Sequence, residues 1–310
     1  MKNFQTGLEP WQNLDGTRPA VLALGQIATV IFEYFGKSEG LCCAFWLRKG
    51  FGMNENTPKG DRIAKVLSRA GIASRREAER MITDGRVSVN GKVIDSPALN
   101  VTGQDRIVVD GKPVGEPEPP RMWLYHKPAG LITTERDEKD RPTVFGALPD
   151  DMPRVMSVGR LDINSEGLLL LTNDGGVKRK LELPATGWLR RYRVRIKGSA
   201  SEAKLDQLRE GITVEGVSYQ PMQVTFDRQQ GANAWLTISI REGKNREIRR
   251  AMEAIGTTVN RLIRVSYGPF QLGELPQGAV EEVKRRVVRD QLGLDNKPQV
   301  ARNRGKKPKR

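Results

Sequence analysis

A run of four leucines at residues 168–171 constrains the fold most, because it follows directly on the polar, turn-prone stretch GRLDINSEG. A short apolar run bounded by turn residues is typical of a buried strand. The loop before such a strand lies at its mouth, so the pattern predicts that Arg160 and Asp162 project from a rigid edge. An arginine two residues before an aspartate is, however, most often a surface ion pair worth under about 1 kcal/mol. The pair alone therefore does not establish a functional site.

The net charge of the chain narrows the choice of partners. Its 310 residues, enough for about two domains, contain 52 Lys and Arg against 37 Asp and Glu, a formal net charge of +15. A balance this basic favours a polyanionic partner such as nucleic acid, although a basic protein can also be merely soluble.

The scarcity of histidine and cysteine limits the chemistry. His126 is the single histidine, and Cys42 and Cys43 are the only cysteines. Zinc clusters, cysteine–histidine dyads and Ser-His-Asp triads therefore lack their parts. Catalysis is left to carboxylate, tyrosine, lysine, arginine or hydroxyl groups, and the low cysteine count fits a reducing cytoplasm.

Both ends of the chain differ from its centre. Residues 1–60 contain one apolar run, at 20–32, which is shorter than the ~20 residues that a membrane-spanning helix needs. We interpret this segment as a poorly ordered or dispensable extension and expect no membrane attachment. Residues 291–310 are predicted to be a disordered basic tail, since the last fourteen residues hold seven basic residues and no acid.

Residues 61–114 carry clear helix and turn signals. A first helical pattern ends at Gly71, and Ser74 then begins S-R-R-E, a capping box in which Ser74 bonds the backbone at Glu77 while that glutamate reaches back. The segments VSVNGKVI and RIVVDGKPV each contain an Asn-Gly or Asp-Gly pair that predicts a tight hairpin. The sequence thus predicts a compact module of two helices followed by small strands.

The polar faces of these two helices are unusually basic. A solvated charged face normally mixes both signs, whereas here two glutamates alone dilute the arginines, which favours an RNA-facing surface. The candidate RNA-binding residues are Arg62, Lys65, Arg69, Arg75, Arg76 and Arg80.

The stretch DRIAKVLSRAGIASRREAERMITDGRVSVNGKVI resembles an S4 RNA-binding domain, and the resemblance covers residues 61–114. The resemblance implies a module that binds structured RNA. Residues 115–120, GEPEPP, are interpreted as a short stiff linker.

Residues 121–290 mix strand and helix signals. LRRYRVRIKG, PMQVTF and AWLTISIR alternate as strands do, whereas residues 203–209 and 246–255 are helical in pattern. Strands joined by short turns favour an antiparallel or mixed sheet with helices packed on it, so we expect an α+β fold.

Three motifs in this second region carry a family resemblance. YHKPAGLITT, GRLDINSEGLLLLTNDG and REGKNREIRRAMEAIG occur in the order found in the RsuA/RluB/RluE/RluF family of ribosomal RNA pseudouridine synthases, which also begin with an S4 domain. The resemblance implies an isomerase that converts uridine to pseudouridine without cofactor or metal, with Asp162 as the nucleophile. A carboxylate suits that role, because it can attack as a nucleophile or stabilise a cationic sugar.

Family motifs also imply roles for further residues. Tyr192 matches the tyrosine that stacks on the target base, and Arg249 matches the arginine that pairs with the aspartate. Arg160 matches the arginine that fills the space left by the flipped nucleotide, a role that suits a planar guanidinium. Lys244 and Arg246, in the third motif, are candidate RNA contacts. Three of these residues have a plainer alternative. Arg160 can be a phosphate contact, Arg249 a phosphate contact or a helix-surface charge, and Tyr192 a core or surface residue.

The first motif is interpreted as structural. Lys127 and Pro128 are expected to shape the cleft floor, with Lys127 a candidate contact to backbone or RNA. His126 has no visible partner and is expected to be a structural histidine.

The sequence favours one class of ribosomal RNA as substrate but does not identify the modified nucleotide. The N-R-E-I-R-R form of the third motif is closer to the RluB type than to the RsuA type, which favours large-subunit (23S) ribosomal RNA or a pre-ribosomal particle as partner. A small-subunit (16S) target remains an alternative, as do a non-catalytic S4-type assembly factor and DNA binding through the tail. We expect a cytoplasmic monomer.

Overall fold

The computed structural model describes residues 60–293. The predicted N-terminal extension up to residue 59 and the basic tail from residue 294 lie outside the described residues, so both stay predictions. Within 60–293, no helix is both long and apolar enough to cross a membrane.

The first region builds a small unit of two helices packed on short strands. Its core consists of apolar side chains from both helices and from the strands, among them Ile63, Leu67, Ile82 and Val87. The elements are β1 (Asp61–Arg62), α1 (Ile63–Arg69), α2 (Arg75–Thr83), β2 (Val87–Val89), β3 (Lys92–Val93), β4 (Asn100–Val101), β5 (Ile107–Val109) and β6 (Lys112–Pro113).

Local signals in this region are confirmed with one exception. Asn90 and Asp110 have φ values of 52° and 49°, as type I′ hairpin turns require. The Ser74 side chain accepts a hydrogen bond from the Glu77 amide at 3.1 Å, which is half of the capping box. The other half is replaced, because the Glu77 carboxylate forms an ion pair with Arg80 at 3.1 Å.

The second region is built on one large sheet. Its elements are β7 (Met122–Lys127), β8 (Met156–Val158), β9 (Glu166–Thr172), α3 (Gly175–Glu182), β10 (Arg190–Lys197), α4 (Glu202–Glu210), β11 (Ile212–Val214), β12 (Val217–Tyr219), β13 (Gln223–Gln230), β14 (Asn233–Ile240), α5 (Glu247–Ala254), β15 (Val259–Tyr267), β16 (Phe270–Gln271), β17 (Val280–Glu282) and α6 (Arg285–Leu292), with short 3₁₀ turns at Phe145–Ala147 and Pro184–Thr186.

This sheet is mixed. Its nine strands run in the order β13-β14-β10-β15-β9-β7-β17, with β8 paired to β9 and β16 to β15. The β9–β15 pair is parallel, and every other pair in the sheet is antiparallel. The expected α+β class with a mixed sheet is confirmed.

The four-leucine run forms the centre of β9, all seven residues of which are buried. Leu169 and Leu171 face one core, whereas Leu168 and Leu170 face a second core covered by α3 and α6. Because successive side chains of a strand point to opposite faces, an uninterrupted leucine run requires helices or loops over both sides of the sheet. The predicted buried strand is confirmed.

The parallel pairing lies at the start of β9, beside the loop that carries Asp162. There Gly167 pairs with Arg264 and has a φ of 100°. A β-carbon at Gly167 would clash with the Arg264 backbone, so the close approach of the two strands requires glycine.

Candidate active site

Asp162 lies in the loop between β8 and β9, and a buried lysine holds the backbone of that loop. Lys127, at the end of β7, is fully buried. Its Nζ donates to the carbonyl oxygens of Ser165 at 2.9 Å, Pro128 at 2.9 Å and Ile163 at 3.4 Å. The lysine therefore fixes the backbone directly after Asp162, which agrees with the expected backbone contact.

The same loop is held at two further points. Thr133 Oγ1 donates to the Leu161 carbonyl at 2.9 Å, and the Gly130 amide donates to the Ile163 carbonyl at 2.7 Å. Because backbone on both sides of Asp162 is fixed by segments of the first motif, the carboxylate is presented on a rigid support.

Arg249, on α5, is positioned differently from the expected direct pairing with Asp162. Its Nη2 donates to the Asn164 carbonyl at 2.8 Å and its Nη1 to the Val259 carbonyl at 3.2 Å. Between residues 60 and 293, Asp162 forms no ion pair. Arg249 therefore holds the backbone two residues after Asp162, and its charge interacts with the carboxylate without a hydrogen bond.

Burial shifts the pKa values of both cations. Desolvation lowers the pKa of Lys127 to about 8, and the negative charges of Asp162 and Glu166 partly oppose this shift. Burial also lowers the pKa of Arg249, an effect that Arg246 strengthens and Asp162 opposes. The charge of Asp162 thus acts on both Lys127 and Arg249, although neither forms a hydrogen bond with its carboxylate.

Asp162 faces a cavity of about 250 Å³ in which the second and third motifs meet. Tyr192, which is 8% exposed, contributes to its wall from β10. Of the predicted site residues, the structure brings five to this cavity: Arg160, Asp162, Tyr192, Lys244 and Arg246.

Three carboxyl groups line the cavity, and their surroundings differ. Glu182 forms an ion pair with Lys178 at 2.8 Å and accepts from the Gly159 amide at 2.6 Å. Glu247 is 3% exposed, and burial together with the charge of Glu242 raises its pKa to about 7. Asp162 is the one of the three that lacks an ion pair and is not deeply buried.

Arg160 lies exposed at the mouth of the cavity. Of the residues that the structure describes, none forms an ion pair with it. Arg246 is exposed at the start of α5 with a φ of 49°, a conformation that is rare for arginine. Both guanidiniums are available to an incoming RNA.

Two arginines of this site were not singled out by the sequence. Arg264 is 3% exposed, and its Nε donates to the Leu168 carbonyl at 2.7 Å. Arg190 donates to the Arg241 carbonyl at 2.9 Å and to the Tyr267 hydroxyl at 2.9 Å, and so holds the segment before α5 against β10. The available signal for Arg264 was its place between apolar residues in the stretch LIRV.

The basic residues of the first region divide into two groups. Arg62, Arg75 and Arg76 have no ion pair with any residue that the structure describes. The other three are partly neutralised: Lys65 pairs with Asp61 at 2.6 Å, Arg80 with Glu77, and Arg69 with Asp61 at 3.7 Å and Asp174 at 3.3 Å.

A basic groove leads from the first region towards the cavity. It has a volume of about 530 Å³ and is lined by Lys65, Arg69, Arg75, Arg154, Lys178 and Arg179. A further depression of about 640 Å³ shares Lys178 and Glu182 with this groove and Arg160 and Asp162 with the cavity. The three depressions therefore adjoin one another.

Known proteins match both regions. Residues 121–254 match the family model described as RNA pseudouridylate synthase, and residues 61–107 match that of the S4 domain. A Rickettsia felis protein called "Uncharacterized RNA pseudouridine synthase" is 45% identical over 73% of this chain and 98% of its own length.

Two further matches agree. "Ribosomal large subunit pseudouridine synthase B" of Yersinia pestis is 40% identical over 76% of this chain and 77% of its own length. A crystal structure of a pseudouridylate synthase covers 74% of this chain and 99% of its own, with a TM-score of 0.53 and 23% identity, which shows the fold. The chain belongs to the RNA pseudouridine synthases of the RsuA/RluB family.

Proposed function

We propose that this enzyme converts a uridine of large-subunit (23S) ribosomal RNA to pseudouridine, with Asp162 as the nucleophile. The observation that supports it most is the position of Asp162: it is the unpaired, accessible carboxylate of a cavity that also contains Tyr192. The backbone around it is held by Lys127, Thr133 and Arg249. A preorganised nucleophile of this kind needs no rearrangement before attack.

The reaction breaks the N1–C1′ bond of uridine and joins C5 to C1′, so no atom is gained or lost overall. Asp162 can attack either C1′ of the ribose or C6 of the base, and both routes require the base to turn while it stays bound. Afterwards the proton on C5 leaves and N1 gains one. Tyr192, at the wall of the cavity, is proposed to stack on the base and to assist this proton transfer.

The target nucleotide must leave its stack to reach the cavity. Extrusion of a base costs a few kcal/mol, and a side chain that fills the vacated space offsets part of this cost. We assign that role to Arg160, because it is exposed at the mouth of the cavity and unpaired within the described residues.

The basic groove supports RNA delivery to this mouth. Guanidinium and ammonium groups along these adjoining depressions can contact a phosphate backbone between the S4 domain and Asp162. Lys244 and Arg246 are proposed to contact the same RNA at the opposite lip.

The choice of 23S over 16S ribosomal RNA rests on the N-R-E-I-R-R motif and on the name of the Yersinia pestis relative. A cytoplasmic location is proposed with it, since the proposed substrate is ribosomal. The proposal is tested by mapping pseudouridines in ribosomal RNA from a deletion strain, with carbodiimide labelling and primer extension. One 23S site should disappear and return with the wild-type gene.

Other results of the same mapping experiment would support the alternative functions. Loss of a 16S site would identify small-subunit ribosomal RNA as the substrate instead of 23S ribosomal RNA. An unchanged map would favour a non-catalytic assembly factor. Complementation with Asp162→Asn is the matched control, because it preserves the protein but removes the proposed nucleophile.

A further inference from the structure

Part of one face of the large sheet carries arginines in place of covering helices. Arg191, Arg193 and Arg195 alternate along β10 with the buried Tyr192, Val194 and Ile196. Because neighbouring side chains of a strand point to opposite faces, the three arginines lie on the other side of the sheet from Tyr192 and its cavity.

We call the side of β10, β14 and β13 that carries these arginines the arginine face. On the same side, the β9 half of the sheet is covered by Val177 and Leu181 of α3 and by Val288 and Leu292 of α6. The cover does not extend to β13, where exposed residues follow one another from Thr225 to the end of the strand. Half of this side is thus left open to solvent.

Cations on the arginine face are not neutralised by the rest of the protein. Arg228 of β13 is paired in register with Trp235 of β14, as is Arg195 of β10. Within residues 60–293, Arg191, Arg193, Arg195 and Arg228 form no ion pair. Asp227 of β13 accepts a hydrogen bond from Thr237 at 3.0 Å and forms no ion pair with these arginines within the described residues.

Two of these guanidiniums are preoriented by an aromatic ring. The guanidinium carbons of Arg193 and Arg195 lie 4.9 and 5.9 Å from the centre of the Trp235 ring, and that indole is fixed by a 3.0 Å bond from its Nε1 to Gln230. A cation–π contact orients a guanidinium without using its N–H donors. The donors of the exposed Arg193 therefore remain available for phosphate oxygens, which guanidinium binds with bidentate geometry.

We propose that the arginine face binds the phosphate backbone of a second RNA segment, separate from the one that carries the target uridine. The occupant follows from charge complementarity: unneutralised guanidiniums on an open sheet match a polyanionic backbone. This inference rests on the proposed function, because it takes RNA as the partner of the enzyme. Since the cavity lies on the other side of the sheet, we expect a short hairpin bound at the cavity to leave the arginine face unoccupied.

The test compares RNA length. Affinity for in vitro transcribed 23S ribosomal RNA, and for a short hairpin cut from it, is measured as a function of salt for the wild-type protein and for Arg191→Gln/Arg193→Gln/Arg228→Gln. For the long RNA, the slope of log affinity against log salt should fall by about 2 to 3, since each lost phosphate contact removes roughly 0.7–0.9. The slope for the hairpin should not change.

Two controls define the result. Lys139→Gln/Lys204→Gln/Lys284→Gln removes the same charge from exposed lysines elsewhere and should leave both slopes near wild type. Arg191→Lys/Arg193→Lys/Arg228→Lys should restore most of the long-RNA slope, because it returns the charge. A long-RNA slope that stays at the wild-type value in the glutamine variant, or that falls equally in the lysine control, overturns the proposal.

Separate measurements of RNA binding and of catalysis distinguish a failure of the arginine-face proposal from a failure of the proposed function. The salt slope is measured without turnover, so it can be read even if the proposed 23S target is wrong, and transcribed 16S ribosomal RNA serves as a parallel probe. Conversely, loss of the long-RNA effect would leave the assignment of Asp162 untouched.

Discussion

Lys127 Nζ donates a 2.9 Å hydrogen bond to the backbone carbonyl of Ser165, 38 residues away in the chain. The bond joins the first motif to the loop of the proposed nucleophile, and Arg249 joins the third motif to the same loop through Asn164. Two buried or half-buried cations therefore hold the backbone around Asp162 while leaving its carboxylate free.

Lys127→Met should lower the rate of isomerisation with little change in RNA affinity. The methionine fills a similar space but cannot hold the loop, and a displacement of about 1 Å at a reacting group costs roughly 10²-fold in rate. Single-turnover rates and equilibrium binding on the same RNA measure the two effects. Lys139→Met, at an exposed position, is the control. A parallel loss of affinity would instead place Lys127 among the RNA contacts.

The buried Lys127 should also give stability a pH dependence. Its folded pKa, about 8, lies below the ordinary value of 10.5, so the unfolded chain binds more protons between these values and stability should rise with pH across that window. The rise is at most roughly 3 kcal/mol, at 1.36 kcal/mol per pKa unit. Denaturant unfolding from pH 7 to 10.5 should show this component in the wild type and not in Lys127→Met. Identical pH profiles would contradict the assignment.

Asp162→Asn should abolish pseudouridine formation while RNA binding is kept. Removal of a catalytic nucleophile lowers the rate by at least about 10³-fold, whereas one neutral amide at the cavity changes the phosphate contacts little. Product is measured by nucleoside chromatography and affinity by filter binding. Asp150→Asn, in an exposed loop, is the matched control. Full activity of Asp162→Asn would refute the mechanism.

Arg160→Ala should impair the enzyme most on substrates in which the target uridine is stacked. The side chain is proposed to fill the vacated space, and the extrusion cost of a few kcal/mol is small when the base is already unstacked. Rates on a paired hairpin and on the same RNA with a bulged target are compared. An equal loss on both, with a salt slope lowered by about 1, would identify a phosphate contact instead.

Alanine substitutions of Asp174 and Arg69 should lower the free energy of unfolding by different amounts, although the two residues form one ion pair at 3.3 Å. Asp174 also caps α3, since its carboxylate accepts from the amides of Gly176 at 2.7 Å and Val177 at 2.9 Å. Asp174→Ala should therefore cost about 0.5–2 kcal/mol. Arg69→Ala removes a partly exposed pair and should cost less than about 1 kcal/mol. Denaturant unfolding measures both costs, and similar costs for the two variants would show that the ion pair dominates over the cap.

Local sequence signals predicted what short-range physics controls. Ser74 caps α2 and Asn90 turns a hairpin because both effects act within a few residues. The leucine run predicted a buried strand, and the structure shows it buried on both faces. Family motifs identified Asp162 and Tyr192 as a pair, and the fold places both at one cavity.

The remaining features depend on contacts between distant segments. The sequence by itself determined which residues could do the chemistry, because residue type and local pattern are written along the chain. Only the tertiary structure decided that Arg249 donates to the Asn164 carbonyl and not to Asp162, and that the arginines of β10 lie opposite the cavity on an uncovered half of the sheet. Strand order and side-chain direction are set by packing across the whole sheet, which no local pattern records.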